Sequence, residues 1–112
     1  MKTEVQQGSN STIVNVTSSV GALTAAELAK VLTTQITDGQ ANLVVDLTGV
    51  EFMSSAGLRT LLGAVKEARS HGGDLRIIST NPGVDKVLKM SGFHNIAKVF
   101  PSQAEAVSSF GS

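Results

Sequence analysis

The segment of residues 42–47 constrains the fold more than any other part of this sequence. It reads Asn-Leu-Val-Val-Asp-Leu, a nearly continuous apolar run, and it follows the turn-forming pair Asp38-Gly39. A short apolar run without polar alternation is typical of a strand that is buried on both faces, as in the centre of a parallel sheet. Parallel strands need crossover connections, which are usually helices. The chain is therefore expected to alternate strands and helices in an α/β fold.

The remaining sequence divides into segments that fit this alternation. Capping signatures predict helices that begin at Thr24 (with Glu27), Ser54 or Ser55, Asn81 (with Pro82) and Ser102 (with Glu105). Strands are predicted over residues 3–6, 13–17, 42–47, 75–79 and 96–100, and irregular chain over residues 18–23. The resulting order is β-β-α-β-α-β-α-β-α, with right-handed crossovers. It predicts one domain over residues 1–112, a small mixed β-sheet with helices packed mainly on one face.

Composition excludes several functional classes. The nine basic and nine acidic residues give a formal net charge of zero, whereas a nucleic-acid binder or a polybasic membrane anchor needs a basic surface. The absence of cysteine removes disulfides, thiolate metal ligands and thiol nucleophiles. The chain opens with no charged-then-apolar leader, and no apolar run reaches the roughly 18 residues of a membrane span. We therefore expect a cytoplasmic protein that contacts neither nucleic acid nor membrane.

Few side chains in this sequence are suited to catalysis. His71 and His94 are the only histidines, and neither shows a triad spacing to a hydroxyl or a carboxylate. Two isolated histidines without cysteine also form no metal-ligand cluster, and the glycines match no phosphate-binding motif. Asp46, near the end of the central strand, is interpreted as a turn-capping carboxylate, and we expect it to support the functional site that follows this strand. We expect no enzyme activity, no metal and no cofactor.

The start of the second helix is the most informative segment for function. Ser54 and Ser55 follow the apolar pair Phe52-Met53, which looks exposed in the sequence. Serine is a favoured N-cap, so capping alone accounts for a serine at this position. A phosphoryl group would also be tolerated at a helix N-terminus, and would add about −1.5 to −2 charges to a neutral, partly apolar surface. Gly57, a poor helix former, indicates that a strand or a partner closely approaches the backbone there.

At these residues the sequence resembles a STAS domain, in particular a stand-alone anti-sigma factor antagonist (anti-anti-sigma factor). The resemblance covers nearly the whole chain and is clearest from residue 43 to residue 99. Its motifs, in order, are Val44-Val45-Asp46-Leu47, Phe52-Met53-Ser54-Ser55-Ala56-Gly57-Leu58, Gly72-Gly73-Asp74-Leu75-Arg76 and Val87-Leu88-Lys89-Met90-Ser91-Gly92-Phe93. The order and spacing of these motifs together are specific, although no single motif is decisive.

The resemblance implies a role in a bacterial partner-switching circuit. In that family the unphosphorylated antagonist binds an anti-sigma factor, which is a serine kinase of GHKL type, and releases the target that the kinase was holding. Phosphorylation of a serine at the start of the second helix blocks binding, and a PPM-type phosphatase reverses the step. Matched by position, Ser55 is the phosphoacceptor. Around this serine we expect partner contacts from Met53, Ser54, Ala56, Gly57, Leu58, Arg59 and Gly21, although Leu58 also lies on the core-facing stripe of the helix.

Two features depart from the family pattern. The acidic residue that commonly precedes the acceptor is here Ser54, so Ser54 is an alternative phosphoacceptor. The family's Gly-Glu-Leu-Asp stretch is here Ser18-Ser19-Val20-Gly21, which lacks both carboxylates. The departure bears on the efficiency of phosphorylation, on the identity of the partner, or on the circuit in which the domain works.

A second interpretation keeps the STAS fold but changes its role. The chain would be a scaffold or interaction domain in another signalling complex, such as a stressosome-like assembly or a system that controls secretion or a phosphatase. The two serines would then be helix caps without obligatory phosphorylation. We expect a monomer or a weak dimer, whereas a large homo-assembly would favour the scaffold.

Overall fold

The computed structural model of the chain describes residues 2–110. The elements follow one another as β1 (Lys2–Gln7), β2 (Thr12–Val20), α1 (Ala22–Thr37), β3 (Asn42–Met53), α2 (Ser55–Ser70), β4 (Asp74–Ile78), α3 (Pro82–Met90), a 3₁₀ turn (Phe93–Asn95), β5 (Lys98–Phe100) and α4 (Gln103–Ser108). The predicted order is therefore confirmed. Residues 1, 111 and 112 of the expected domain lie outside the described residues.

The strands form one mixed sheet in the order β1-β2-β3-β4-β5. The edge strand β1 pairs with β2 in the antiparallel direction, and β2, β3, β4 and β5 pair in parallel. Along β3, Leu43, Val45 and Leu47 belong to the core that is shared with α1, α2 and α3, whereas Val44 belongs to a second cluster with Ala106 of α4. Both faces of β3 are thus covered, which is why its sequence shows no polar alternation.

The segment between β2 and α1 differs from the prediction. Residues 18–23 were expected to be irregular, but β2 continues to Val20, with irregular register between Ser18 and Val20 and a left-handed Ser18 (φ 74°). The helix begins after Gly21, whose extended backbone makes it the N-cap, rather than after Thr24. Thr24 lies in the first turn, where its hydroxyl accepts a hydrogen bond from the Gly21 N–H at 2.8 Å. The capping hydroxyl was correct, but its position in the helix was wrong.

Two strand boundaries also differ from the prediction. The central strand was expected over residues 42–47, but β3 runs on to Met53 because its second half pairs with the lengthened β2. The last strand was expected over residues 96–100, but β5 is only Lys98–Phe100, since the chain first makes a 3₁₀ turn around the buried Phe93. The extension of β3 is the difference that matters for the site, because it carries the strand directly into α2.

An ionic cluster at the start of β4 connects α2 to α4. The Asp74 carboxylate lies 3.0 Å from Nε of Arg69 and 2.5 Å from Nη1 of Arg76. The guanidinium of Arg76, which is only 8% exposed, lies 4.3 Å from the centre of the Phe110 ring and donates through Nε to the Ser109 hydroxyl at 2.9 Å. The buried cation therefore depends on Asp74 for its counter-charge.

We expect the Asp74→Asn substitution to lower the free energy of unfolding by about 1–2 kcal/mol at neutral pH, since it weakens charge-assisted hydrogen bonds. Burial by itself raises the pKa of Asp74, but hydrogen bonds from the Leu75 N–H, Arg76 and Arg69 outweigh burial and hold this pKa below its ordinary value. The stabilisation is therefore complete above the unfolded-state pKa of about 3.9 and is lost as the pH falls through the lower folded-state pKa.

Urea unfolding of the parent and Asp74→Asn proteins from neutral to strongly acidic pH measures this difference. Asp38→Asn is the control, because Asp38 lies at the exposed end of α1 and its replacement should change stability by less than about 0.5 kcal/mol. A difference between parent and Asp74→Asn that persists unchanged in strong acid would contradict the proposed ionic contribution.

Candidate functional site

The carboxyl ends of β2 and β3 and the N-termini of α1 and α2 meet at one end of the sheet. Val20 and Met53 are the last paired residues of the two strands, and the Ser54 N–H donates to the Val20 carbonyl oxygen at 2.9 Å. Gly21 and Ser54, the N-caps of α1 and α2, each follow directly after one of these strands. The parallel pairing therefore brings together two sequence segments that were predicted to form one site.

Ser54 and Ser55 have different environments. The Ser54 hydroxyl oxygen accepts a hydrogen bond from the Gly57 N–H at 3.1 Å, so Ser54 is the N-cap of α2 and is half-buried. Ser55 is the first residue of the helix and is exposed, and within residues 2–110 its hydroxyl makes no hydrogen bond. Capping, which was the simpler explanation for the serine pair, therefore accounts for Ser54 and leaves Ser55 without a structural role.

Gly57 explains how α2 packs so closely on the two strands. A Cβ at Gly57 would lie 2.6 Å from Sδ of Met53 and 2.7 Å from Cγ1 of Val20. The sequence predicted that a strand or a partner closely approaches the backbone at Gly57, and in the structure two strands of the same chain do so. Met53 is only 3% exposed and Gly57 is buried, so the structure corrects the expectation of an exposed apolar Met53 at the surface.

An apolar groove of about 590 Å³ lies beside Ser55, between the β3–α2 junction and α3. Its most exposed apolar side chains are Phe52, which is 56% exposed, and Met90, which is 79% exposed. Leu58 and Val87 also line it and are half-buried against the core. None of the residues that line this groove is charged. The groove therefore exposes an uncharged apolar surface immediately next to a free hydroxyl.

The contribution of α3 to this groove was not predicted from the sequence. The buried stripe of α3 contains Val84 and Leu88, and Met90 lies two residues beyond Leu88, on another side of the helix. An apolar residue outside the buried stripe of an amphipathic helix is the signal that would have identified it. Leu23, which belongs to the segment of residues 18–23 that the sequence placed at the partner interface, lies at the start of α1 and is 89% exposed.

The other predicted contact residues lie around the same surface. Arg59 is exposed one turn along α2, and Ala56 is half-buried. A Cβ at Gly21 would meet no atom within 4 Å, so packing around the Cβ does not require glycine at this position.

Asp46 does not belong to this site. Its Oδ1 accepts from the Thr48 N–H at 2.9 Å and its Oδ2 from Nε2 of Gln103 at 2.8 Å. Asp46 and Thr48 both lie within β3, so the expected turn is absent and the turn-capping interpretation was wrong. The carboxylate instead connects β3 to α4 through Gln103. Met53 lies seven positions after Asp46 along β3, roughly 20 Å of extended chain, so Asp46 is too far away to contact the serines.

The histidines also lie away from the serines. His71 is the exposed C-cap of α2, and Nε2 of His94 lies 3.3 Å from Oδ1 of Asp85 on α3. Within residues 2–110 no group of three or more His, Asp or Glu side chains could hold a metal ion. None of the helices in the described part of the chain is long and apolar enough to cross a membrane.

A sheet of four parallel strands with one antiparallel edge strand, and a serine-capped helix that starts at one end of it, defines a small α/β domain. The family model for the STAS domain matches residues 2–106. The chain belongs to the STAS domain family.

Several similar proteins have the same class of name. BtrV of Bordetella bronchiseptica, named as an anti-sigma factor antagonist, is 34% identical over 91 residues, which are 81% of this chain and 78% of BtrV. The crystal structure of an anti-sigma factor antagonist from Mycobacterium paratuberculosis superimposes with a TM-score of 0.91 at 22% identity, covering 99% of this chain and 94% of that one. The phosphorylated form of the Bacillus cell fate determinant SpoIIAA superimposes with a TM-score of 0.74 at 16% identity, covering 96% and 98%.

We expect Gly57→Ala to lower the free energy of unfolding by about 1–3 kcal/mol, because the added methyl group would overlap Met53 and Val20. Gly63→Ala on the same helix is the matched control. Nothing lies within 4 Å of a Cβ at Gly63, so that substitution should raise stability by about 0.5–1 kcal/mol through helix propensity. Chemical denaturation of the parent and the two variants measures both effects. If both substitutions changed the free energy of unfolding in the same direction, the close approach at Gly57 would be contradicted.

The two serines should differ in their effects on stability. We expect Ser54→Ala to cost about 1 kcal/mol, because it removes the cap of α2. Ser55→Ala should change stability by less than about 0.5 kcal/mol, because the exposed hydroxyl has no partner to lose. Thermal and urea unfolding of the pair compare them directly. A larger loss from Ser55→Ala than from Ser54→Ala would contradict the assignment of the cap.

Proposed function

We propose that this STAS domain is a phosphorylation-gated binding module of a bacterial partner-switching circuit. The unphosphorylated chain binds an anti-sigma factor that is also a serine kinase of GHKL type, and so releases the target of that kinase. Phosphorylation of Ser55 blocks the binding, and a PPM-type phosphatase restores it. The chain acts here by binding and is itself the substrate of the two enzymes.

The free hydroxyl of Ser55 is the observation that supports this proposal most directly. A kinase needs an exposed acceptor whose modification leaves the domain folded. Ser55 is exposed and makes no hydrogen bond within residues 2–110, so its modification breaks no contact of the fold. Ser54 holds the cap of α2 through its hydroxyl oxygen, so modification there would compete with the helix start. Between the two serines, this favours Ser55 as the acceptor.

The apolar groove supports the binding role. A partner that covers Phe52 and Met90 would remove exposed apolar surface from water, and this is favourable at roughly 25 cal/mol per Å². A dianionic phosphate at Ser55 would then lie at the edge of the same contact, where it loses hydration and the uncharged groove offers it no compensating partner. One modification thus weakens binding without any change of fold.

The comparisons support the same class of function. BtrV is named as an antagonist of an anti-sigma factor, and the chain matches more than two thirds of it. SpoIIAA, which has the same fold, has been solved in a phosphorylated form. These proteins indicate that the partner is an anti-sigma factor and that the fold tolerates a phosphate.

Kinase assays test the acceptor assignment. We expect GHKL-type anti-sigma kinases from the same genome, supplied with ATP, to phosphorylate the parent chain on Ser55, to phosphorylate Ser54→Ala on the same residue, and to leave Ser55→Ala unmodified. Intact mass and peptide mapping identify the residue. Phosphate found on Ser54, or on the Ser55→Ala chain, would contradict the assignment.

Binding measurements with the same kinase test the gating. Calorimetric titration should show that Ser55→Asp binds at least about tenfold more weakly than Ser55→Ala, a loss of about 1.4 kcal/mol or more. Ser9→Asp is the control, because Ser9 is exposed in the loop between β1 and β2 and forms no part of the groove. Equal affinities for the Asp and Ala variants at position 55 would reject phosphorylation gating, and the chain would then fit the scaffold role better.

A further inference from the structure

The charged group nearest to Ser55 along α2 is Arg59, one helical turn away. Residues four apart on a helix are surface neighbours, with Cβ atoms about 5–6 Å from each other. Arg59 is exposed, and within residues 2–110 its guanidinium takes part in no ion pair or hydrogen bond. The arginine is therefore an unused cation beside the proposed phosphoacceptor.

We propose that Arg59 binds the phosphoryl group of phosphorylated Ser55 within the same chain. This inference rests on the proposed function, because it concerns the modified state of the same serine. An anion that precedes a cation by four residues is the favourable orientation on a helix. The planar guanidinium of arginine can also donate two parallel hydrogen bonds to a phosphate. The groove on the other side of Ser55 contains no charged side chain, so it offers the phosphate no competing partner.

The contact would make the modification act in two ways. The phosphate would add negative charge next to the apolar groove, and it would also hold Arg59 against α2. An arginine held in this way would no longer be free to contact a carboxylate or a backbone carbonyl of the partner. Only Ser55 is placed to form this pair. Ser54 is five residues from Arg59 and is not its neighbour on the helix surface.

The test measures the phosphate directly and needs no kinase. Phosphoserine is incorporated at position 55 during translation, and the ³¹P chemical shift is titrated with pH in the parent and Arg59→Gln chains. Because a nearby cation favours the dianion, the phosphate pKa should be lower in the parent by about 0.2–0.4 unit. Arg59→Lys, which keeps the charge but loses the paired geometry, should give a smaller shift than the parent.

Two controls exclude a general charge effect. Lys66→Gln removes an exposed cation from the same side of α2 but two turns further on, and should leave the phosphate pKa unchanged. In chains with phosphoserine at position 54 instead, Arg59→Gln should also have no effect. Equal phosphate pKa values with and without Arg59, or an equal effect from Lys66→Gln, would overturn the proposal. If no kinase modifies Ser55, the proposed function fails, but the ³¹P titration still decides whether Arg59 binds a phosphate at position 55.

Discussion

The parallel pairing of β2 with β3 as far as Val20 and Met53 is the interaction on which the rest of this site depends. It places the ends of two strands side by side, so that α1 and α2 both begin at the same edge of the sheet. The hydrogen bond from the Ser54 N–H to the Val20 carbonyl continues this pairing one residue past the strand. The position of the serine cap is thus set by backbone geometry and not by side-chain contacts alone.

The same pairing explains why position 57 holds glycine. The helix α2 begins immediately after β3 and must turn back across the strand ends, which brings its first turn into contact with Val20 and Met53. Only a residue without a Cβ allows that approach. The helix start is therefore packed tightly from behind, while its other side, with Ser55 and Arg59, remains exposed. A tightly packed helix start beneath an exposed hydroxyl suits the proposed function, in which a kinase and a binding partner both contact this surface.

Local patterns were sufficient to predict much of this structure. The apolar run at residues 42–47 identified the doubly covered central strand, because a strand that is buried on both faces needs apolar residues at successive positions, and this pattern is visible in the local sequence. The half of β3 after Leu47 is more polar, and its extended conformation comes from pairing with β2. Sequence periodicity contains no direct information about such long-range pairing, and the boundaries of β2, β3 and α1 were wrong for this reason.

The candidate site shows the same division. The serine pair and Gly57 could be identified from the sequence, because helix starts have a recognisable chemistry. The groove could not, since Phe52 from β3 and Met90 from α3 become neighbours only through the fold. The sequence also treated Phe52 and Met53 as one exposed pair, although the alternation of side chains along a strand sends them to opposite faces. Once β3 is known to extend to residue 53, this alternation explains why Phe52 is exposed and Met53 buried.

Two adjacent serines allow capping and modification to be separate tasks. If one serine were both N-cap and phosphoacceptor, each phosphorylation would alter the hydrogen bond that starts α2, and binding and stability would change together. Here the cap belongs to Ser54 and the free hydroxyl to Ser55. In the proposed mechanism a phosphate can therefore change the charge beside an uncharged groove while the fold beneath it remains the same.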